Sequence, residues 1–516
     1  TSLLMARRAA RTHELALLQC LGATRRGLIR LLLAEVALLV VLGTTAGILV
    51  GAVGLELLWG LRPSSLAGIE SVHLEPRVVV AAVGVVCLIG VATIVAPLLA
   101  TRFPKDPQAL RTSRALGGGS VAARRAAVVA ELALSMILVA GATLLGGSLA
   151  RMHAVDLGFE SEGVATFRVG ISNRTFPEDA ERARLAEEVR DAVSRLPGVE
   201  QVGATAHIPM ADWANWVGAA APPSVAANEA SRYQFDHRSV TPGYFEAIAA
   251  TLVEGRSFRT DDSGTVDPVV IVDAAYAARV FPDAQSVVGR QIVATRYIDR
   301  EFVPVPATIV GVVRSMRDHD PARPPSGQIF WPFAQSARWE LTYAVRLDAM
   351  ASDWAERVQQ TVASVHGDLA VADITPLENY VTEAMAPLRF ASLVGGVFST
   401  LAIVLAFLGL YSVVAYSTRQ RTGEIGIRLA LGARGRDAFG GVLSEGIRLA
   451  ALGVGIGLLG AVFTTRYLDS LLFDVDPLDA ALLGAVATAL LLISAAATAL
   501  PALRATRVDP TRTLRP

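Results

Sequence analysis

Asp318, His319 and Asp320, in the stretch RDHDP, are residues of the types that bind metal ions. A zinc site needs three or four such side chains that converge on one point. Adjacent residues of a strand or loop point in different directions, and no second histidine lies at ligand spacing from His319. We therefore expect a solvated loop at 317–321 and no metal site in this chain.

A phosphate-binding loop has the form G-x-x-x-x-G-K-[ST], in which main-chain amides and the lysine contact the phosphates. Lys105 is the only lysine of the chain, and it lies between Pro104 and Asp106. The sequence therefore contains no such loop, and it contains no G-x-S-x-G pattern of a hydrolase nucleophile. We predict that the chain is not an enzyme and that it holds no catalytic residue and no cofactor.

Three glutamates, Glu35, Glu131 and Glu445, lie within or at the edge of apolar stretches. Ionisable groups are costly in lipid and often indicate function. Each of these glutamates nevertheless lies near the basic end of its stretch, and Glu131 follows Arg124 by only about 10 Å of helix. A structural hydrogen bond, or a side chain that reaches the interface, is therefore the favoured interpretation.

Two short elements of the same design precede long apolar stretches. TGEIGIRLALGARGRD (422–437) and THELALLQCLGATRRG (12–27) share Thr, Glu, Leu-Gly-Ala and one Arg at the same positions. We expect Thr422 to cap a short helix, with Glu424 in the first turn, where main-chain amides favour a negative charge. Glu424 also precedes Arg428 by four residues, which places both on one helix face.

Such a helix has two possible uses, and the residues alone leave both open. One is an interfacial anchor, with leucines in the acyl boundary and arginines on lipid headgroups. The other is a docking helix for a cytoplasmic partner. The anchor is the commoner arrangement, but lipids recognise amphipathicity and not particular residues, whereas the two elements repeat particular residues.

The composition indicates a membrane protein. Hydrophobic residues are 52% of the 516 residues, 44 glycines add to them, and the mean hydropathy is +0.45. Soluble domains usually have about 45–50% apolar residues with glycine included. The formal net charge is zero, so nucleic acid is not an expected partner. Six stretches are long and apolar enough to span a bilayer, near 31–59, 78–100, 126–149, 391–416, 442–468 and 479–503.

Arginines indicate the orientation of these spans, because basic residues in short loops stay on the cytoplasmic side. Clusters of arginine occupy residues 7–30, 102–125, 419–436 and 504–515. The short loops 60–77 and 469–478 contain few or none. Six spans then alternate consistently, with both copies of the repeated element in the cytoplasm and the segment 150–388 outside.

The outer segment has the pattern of a soluble α+β domain. A strand at 166–172, a helix from Pro177 and a strand near 199–205 form one β-α-β unit. The same order returns at 341–374, with a helix that we expect Ser352 to cap. The section between them is rich in short strands, so we expect a split domain with a subdomain inserted at about 206–335. In its loop ADWANW, packing onto the domain is favoured over substrate contact for Trp213 and Trp216.

Several stretches in combination resemble the MacB/FtsX family of ABC transporter permeases, and most closely its duplicated branch known from acidobacteria. They are LGLYSVVAYSTRQRTGEIGIRLALGA, PALRATRVDP, TPGYFEAIAATLVEGRSF, VVIVDAAYAARVFPD, VVGRQI and TIVGVVRSMRD. The resemblance implies an α-helical membrane protein with an α+β periplasmic domain. It also implies two homologous FtsX-like halves, of which the first is incomplete, so that the chain is an N-terminally truncated fragment.

The resemblance divides the chain into nine segments. We expect the end of a span with the first coupling helix (1–30), the last two spans of half one (31–100), a cytoplasmic linker (101–125), the first span of half two (126–150), the periplasmic porter-type domain (151–388), the second span (389–417), the second coupling helix (418–437), the last two spans (438–503) and a cytoplasmic tail (504–516).

By resemblance, the repeated elements are the coupling helices that contact an ATPase. The matching residues are Glu14, Leu15, Leu18, Gly22 and Ala23 in half one and Glu424, Ile425, Ile427, Arg428, Gly432 and Ala433 in half two. The first copy departs from the second at Gln19 and Cys20, so the halves need not bind their ATPases equally well.

The implied function is a permease of the bacterial inner membrane that exports a drug, peptide, lipid or lipoprotein. ATP and magnesium would bind a separate ABC ATPase, and the other partners would be membrane lipids, the second permease half and a periplasmic adaptor or hydrolase. The alternative is a mechanotransmission subunit that moves no substrate and regulates a cell-wall hydrolase or a sensor.

Overall fold

The computed structural model describes residues 25–60, 76–77, 79–81, 83–84, 86–87, 118–172, 174–211, 216–225, 229, 233–264, 266–298, 301–349, 351–431, 434–468, 472–476 and 478–506. The chain divides into two compact units, which we describe separately. The helical unit comprises Thr1–Ala150 and Leu388–Pro516, and the large domain comprises Arg151–Pro387.

The elements follow one another in a simple order along the chain. Among the described residues, two long helices come first, α1 (Arg25–Gly60) and α2 (Gly118–His153). The large domain then contains β1 (Val164–Gly170), α3 (Asp179–Val193), β2 (Val199–Thr205), β3 (Val217–Ala221), β4 (Gln234–Val240), α4 (Tyr244–Ala247), β5 (Leu252–Gly255), β6 (Val269–Asp273), α5 (Ala274–Val280), β7 (Gln291–Ile298), β8 (Glu301–Val313), β9 (Gln328–Pro332), β10 (Glu340–Leu347), α6 (Trp354–Val365), β11 (Ala370–Pro376) and α7 (Leu377–Ala384). The helical unit resumes with α8 (Ala386–Gln420), α9 (Thr422–Ala430), α10 (Gly435–Leu468) and α11 (Ala480–Thr506).

Five of the described helices, α1, α2, α8, α10 and α11, are long and apolar enough to cross a membrane. They coincide with five of the six predicted spans, and most of the sixth, 78–100, lies outside the described residues. Large apolar side chains on their outer faces, such as Leu405, Phe463 and Leu492, are more than half exposed in the isolated chain. Such surfaces suit contact with lipid, which is as apolar as the side chains themselves.

Helix α2 packs against α8 and α10 through small residues. A Cβ atom on Gly457 of α10 would lie 2.6 Å from the main-chain oxygen of Ala133, so only glycine allows this approach. On the other side, Ser399 of α8 donates a hydrogen bond to the main-chain oxygen of Leu138 at 2.9 Å. Ser135 of α2 donates a hydrogen bond to the main-chain oxygen of Ala402 at 3.0 Å. Close backbone approach and hydrogen bonds across helices are the interactions that hold helices together where hydrophobic burial gives no advantage.

The two predicted β-α-β units of the large domain interlock. Strand β10 lies between β1 and β2 and is antiparallel to both, while β1 lies between β10 and β11. Each unit thus contributes the strand that separates the two strands of the other. Helices α3 and α6 contact each other over this four-stranded region and share one apolar core, in which Phe167 and Tyr343 stack at 4.9 Å.

The strands of the middle section form a closed ring. The pairings run β4–β3, β3–β7, β7–β8, β8–β6 and β6–β9, and β9 returns to β4 through a parallel pairing. Closure leaves these six strands without a free edge between them. Phe235, Ile292 and Trp331 belong to the core of this region. One residue pair, Thr205 with Val240, joins the ring to the four-stranded region.

One local prediction is wrong. A cap at Ser352 was expected from the sequence, but the N-cap residue of α6 is Asp353, and it makes no side-chain hydrogen bond to the helix amides. Its carboxylate accepts a 2.7 Å hydrogen bond from Arg357 instead. A neighbouring guanidinium therefore takes the place of the main-chain donors at this helix start.

Candidate functional site

The short helix α9 between the spanning helices α8 and α10 presents a row of exposed side chains. Glu424, Ile427 and Arg428 of α9 and Leu431, the residue directly after it, are spaced i, i+3, i+4 and i+7, which places them on one helix face. The amide of Leu431 still donates a helical hydrogen bond to the main-chain oxygen of Ile427 at 3.0 Å. All four are exposed, Ile427 by 51% and Leu431 by 83%. We call these four residues the docking stripe. It combines two apolar side chains with a carboxylate and a guanidinium, a composition that suits a protein surface or a lipid interface.

Thr422 joins α9 to the helix before it. Its hydroxyl donates to the main-chain oxygens of Thr418 at 3.1 Å and Arg419 at 2.9 Å, at the end of α8. The expected capping role of this residue is therefore replaced by a bond to the preceding helix. The amide of Ile425 also donates to the main-chain oxygen of Arg421 at 2.9 Å. The two helices are thus hydrogen-bonded across their junction.

Beside this junction, Glu445 of α10 collects two guanidinium groups. Arg125 of α2 pairs with its Oε1 atom, and Nη1 of Arg421 lies 3.3 Å from its Oε2 atom. The hydroxyl of Ser417, near the end of α8, lies 3.5 Å from Oε1. We call these four residues the Glu445 cluster. It connects three spanning helices and the residue directly before α9, and it gives Glu445 side-chain partners of the kind that the sequence suggested.

Other arginines contact tyrosines near the same helix ends. The guanidinium of Arg124 lies over the ring of Tyr416 at 4.2 Å. Arg504 of α11 donates a 2.8 Å hydrogen bond to the hydroxyl of Tyr411. Arginine and tyrosine both have an apolar body and a polar tip, which suits them to the boundary between lipid and water.

The structure describes only part of the predicted coupling residues. Glu424, Ile425, Ile427 and Arg428 lie in α9, and the first, third and fourth of them are exposed. The remaining predicted residues, Glu14, Leu15, Leu18, Gly22, Ala23, Gly432 and Ala433, lie outside the described residues. Their role stays a prediction.

Arg125, Arg421 and Ser417 were not singled out from the sequence. A signal for two members of the cluster was present in the internal repeat. Arg11 precedes Thr12 as Arg421 precedes Thr422, and Glu35 follows Thr12 at the same distance at which Glu445 follows Thr422. Arg125, the partner from α2, had no such signal in the sequence, because a contact between helices that a large domain separates in the chain has no local pattern.

The large domain contains a second group of charges, around Asp318. The prediction of a solvated loop at 317–321 is wrong for Asp318, whose side chain is only 5% exposed. His207, which follows β2, and His319 bring ring nitrogens to this carboxylate, at 3.9 and 3.6 Å. The sequence offered no second histidine at ligand spacing from His319, and His207 is brought to the carboxylate by the fold from a distant part of the chain. The ligand atoms of His207, Asp318 and His319 all lie within 4.8 Å of one another.

Arg238 of β4 occupies the centre of this group. We call the residues His207, Asp236, Arg238, Asp318 and His319 the Asp318 cluster. The guanidinium of Arg238 donates to Asp318, and the same nitrogen lies 3.4 Å from Nε2 of His319 and 3.8 Å from Asp236. Burial lowers the pKa of Arg238 to about 10, so it remains charged at neutral pH. Burial, and then the charge of Arg238, hold the pKa of His207 well below its usual value. The histidine and carboxylate set fits a divalent ion in type, but a fixed cation of the protein already neutralises it.

Trp216 packs onto the large domain, as predicted, and Trp213 lies outside the described residues. The ring of Trp216 contacts that of Trp339 edge to face, with 5.4 Å between the ring centres, and that of Phe302 at 6.1 Å. The guanidinium of the buried Arg338 lies 4.3 Å from the Trp216 ring and 3.8 Å from that of Tyr297. Cation–π contacts of this kind offset part of the desolvation of a buried charge.

Two family models match the chain in different places. Residues 1–104 and 396–510 match the model of the FtsX-like permease C-terminal region. Residues 129–365 match the model of the MacB-like periplasmic core domain. The first model thus covers residues on both sides of the large domain, including α9 and Glu445, and the second covers most of the large domain.

Curated relatives are similar at a low level of identity. The macrolide export ATP-binding/permease protein MacB of Shigella boydii is 26% identical over 324 residues, which is 57% of this chain and 46% of the relative. The pyoverdine export ATP-binding/permease protein PvdT of Pseudomonas entomophila is 25% identical over 273 residues, 51% of this chain and 40% of the relative. The chain thus spans less than half the length of these relatives. A solved periplasmic region of MacB from Actinobacillus actinomycetemcomitans aligns with 42% of the chain and 90% of its own length, with 16% identity and a TM-score of 0.28.

Proposed function

Because the chain belongs to the MacB/FtsX-type permeases of ABC transporters, we propose that it couples ATP hydrolysis on a separate subunit to motion of its periplasmic domain and to export of a substrate. The observation that carries the proposal is the exposed docking stripe on α9, between two membrane helices and on their basic side. A cytoplasmic ATPase can contact this stripe directly.

The chemistry of the stripe favours a protein partner over lipid alone. An interfacial anchor buries leucines and places cations at its edge. The docking stripe instead begins with Glu424, whose carboxylate would face anionic headgroups unfavourably. A protein surface can satisfy the carboxylate, the guanidinium and the two apolar side chains together.

We propose that a separate polypeptide hydrolyses ATP; the 516 residues of the sequence themselves contain no phosphate-binding loop. The relatives MacB and PvdT are named as ATP-binding/permease proteins. The segments of this chain that match family models are the permease and periplasmic segments.

Helix length supports transmission of force across the membrane. Helices α2 and α8 contain 36 and 35 residues, and each is therefore more than about 50 Å long at 1.5 Å per residue. The hydrocarbon core of a bilayer is about 30 Å thick. Both helices thus extend beyond it, and both are continuous with the chain of the periplasmic domain. A displacement of α9 would reach that domain as a movement of these two helices.

The proposed substrate is a drug, peptide, lipid or lipoprotein that the periplasmic domain handles. MacB and PvdT are named for export of macrolides and pyoverdine. Most side chains on the described spans are apolar, and the charges of the Glu445 cluster lie at one end of the helices. This distribution favours expulsion from the periplasmic side over passage through a polar channel in the membrane.

The test is co-purification of an ATPase with the protein extracted in mild detergent. We expect Glu424→Arg, alone and with Glu14→Arg, to reduce the retained ATPase about tenfold, because an interfacial charge pair becomes a repulsion. Arg448→Glu is the matched control, since it reverses an exposed charge on α10 outside the stripe. Unchanged retention in the Glu424→Arg protein would favour the lipid anchor and reject the docking role.

The mechanotransmission alternative predicts a different output from the same machinery. Reconstituted protein with its ATPase would be assayed for ATP-dependent efflux of labelled substrate classes and for activation of cell-wall hydrolysis. Efflux supports the transporter. Activation of a hydrolase without efflux would replace export by regulation and leave the ATPase-docking role of α9 intact.

A further inference from the structure

We infer that Glu445 is a positioning residue that transmits movement of α9 to the two helices that carry the periplasmic domain; this inference rests on the proposed function. Its carboxylate pairs with Arg125 of α2 through one oxygen and with Arg421 through the other. Ser417 of α8 approaches the same carboxylate at 3.5 Å. One side chain thus contacts three separate elements.

The position of Arg421 links this carboxylate to the docking helix. Arg421 is the single residue between α8 and α9, and its main-chain oxygen accepts the hydrogen bond of Ile425. Thr422 adds two hydrogen bonds from α9 back to the end of α8. A partner that displaces the docking stripe therefore displaces the guanidinium of Arg421, and with it one of the two charges on Glu445.

The position of Arg125 links the same carboxylate to the opposite side of the membrane. About 42 Å of continuous helix separates Arg125 from His153, the last residue of α2. The periplasmic domain begins at Arg151, and α8 leaves that domain from Ala386. Both helices that connect to the domain therefore have their cytoplasmic ends held at Glu445.

The exposure of the cluster suits a contact that rearranges. The side chains of Glu445, Arg125 and Arg421 are 24%, 38% and 54% exposed. Water can therefore solvate either arginine when its ion pair opens, so that the carboxylate can exchange one partner for the other at a small difference in free energy. A fully buried pair would resist such an exchange.

The internal repeat gives an independent reason to assign a role to this position. Glu35 follows Thr12 at the same distance at which Glu445 follows Thr422, and Arg11 corresponds to Arg421. The sequence thus pairs each Glu-led element with a basic residue before it and a glutamate near the start of the apolar stretch that follows. Packing alone requires neither charge at a defined distance from a docking helix.

The test follows ATP-dependent hydrogen exchange at two places in the protein bound to its co-purified ATPase. One place is α9, and the other is the segment 145–170, which contains the end of α2 and β1. In the unaltered complex, ATP should change exchange at both. In the Glu445→Gln complex, the change at α9 should persist and the change at 145–170 should fall about threefold or more. A merely structural role would alter both places or neither.

Variants of the partners make the test specific. Arg125→Gln should reduce the ATP-dependent change at 145–170 as much as Glu445→Gln does. The double variant Arg125→Gln/Glu445→Gln should reduce it no further than either single variant, because each of the three proteins lacks the same link. Arg448→Gln, an exposed charge one turn further along α10, is the matched control and should leave both places unchanged. If Glu445→Gln does not yield folded protein, Arg421→Gln is measured in the same way.

The outcomes separate the inference from the proposed function. Suppose that Glu445→Gln (or Arg421→Gln, where Glu445→Gln does not fold) and Arg125→Gln both transmit the ATP-dependent change to 145–170 as the unaltered protein does. The positioning role is then overturned, while ATPase docking stands. If no ATPase binds and α9 shows no protection in the unaltered protein, the proposed function fails first. Additive losses in the double variant would also contradict a shared link between the two residues.

Discussion

The protein holds two groups of carboxylates and guanidinium groups in opposite ways. In the Asp318 cluster, the side chains of Asp318 and Arg238 are 5% and 2% exposed, and strands of the periplasmic domain surround them. In the Glu445 cluster, the paired side chains are 24–54% exposed and lie at the ends of membrane helices. The interior of the helical unit is held instead by glycine contacts and hydrogen bonds between helices.

This difference assigns different physical roles to similar residues. An ion pair removed from water cannot open without leaving an uncompensated charge, so the Asp318 cluster fixes the junction between β4 and the segment after β8. An ion pair within reach of water opens at little cost, so the Glu445 cluster can change partners. The stability of the helical unit must then depend on packing more than on charge.

The largest effect is expected at the buried cluster. Asp318→Ala leaves the guanidinium of Arg238 buried without its closest partner, and we expect the free energy of unfolding of the periplasmic domain to fall by about 3–5 kcal/mol. Asp320→Ala is the matched control, because this carboxylate is 41% exposed and should contribute less than about 1 kcal/mol. Urea unfolding followed by tryptophan fluorescence measures both, since five of the six tryptophans lie in this domain.

A loss of less than about 1 kcal/mol in Asp318→Ala would contradict the contrast between the two clusters. In that event, the carboxylate would be hydrated in solution and the two groups would be energetically alike. Combining Asp318→Leu with Arg238→Met should recover part of the stability, because an apolar pair of similar volume removes both of these buried charges, while the carboxylate of Asp236 stays in place.

The next effect tests packing in the helical unit. Gly457→Leu places a side chain against the main chain of Ala133 and the Cβ atom of Met136, both within 2.6 Å of the new Cβ position, and we expect a loss of about 1–3 kcal/mol. Gly455→Leu, two residues earlier on the same helix, meets nothing within 4 Å and should change stability by less than about 0.5 kcal/mol. Titration with sodium dodecyl sulfate, followed by circular dichroism, measures both variants. Equal effects would mean that α2 and α10 are not in close contact.

The sequence predicted the elements better than the contacts between them. Hydropathy placed α1, α2, α8, α10 and α11, because a spanning helix must be apolar over its whole length. Alternation of apolar residues placed both β-α-β units, although β1 and β10 are buried on both faces over most of their length. Neither pattern contains register between distant strands, and so the interlocking of β1 with β10 and the closure of β4 onto β9 were not foreseen.

The candidate sites show the same limit. Glu424 and Arg428 were found from the repeat, because a docking helix is one continuous segment whose residues share a face. The Asp318 cluster was missed because its members come from three separate parts of the chain, after β2, within β4 and after β8. Burial of Asp318 follows from those long-range contacts and not from the local stretch RDHDP.

The smallest effect is a dependence on pH that only the buried region should show. Burial, followed by the charges of Arg338 and Arg238, holds the pKa of His237 well below its usual 6.5. The unfolded chain therefore binds a proton below pH 6.5 that the folded domain does not, and stability falls as the pH decreases through that region. We expect His237 to contribute about 1.4 kcal/mol per pH unit below its unfolded pKa. Between pH 6 and 5, the slope of the unfolding free energy against pH should be smaller in His237→Leu than in the unaltered protein, by about 1.4 kcal/mol per pH unit. His366→Leu, which replaces a partly exposed histidine of the same domain, is the control. An equal slope in all three proteins would show that His237 is protonated in the folded domain.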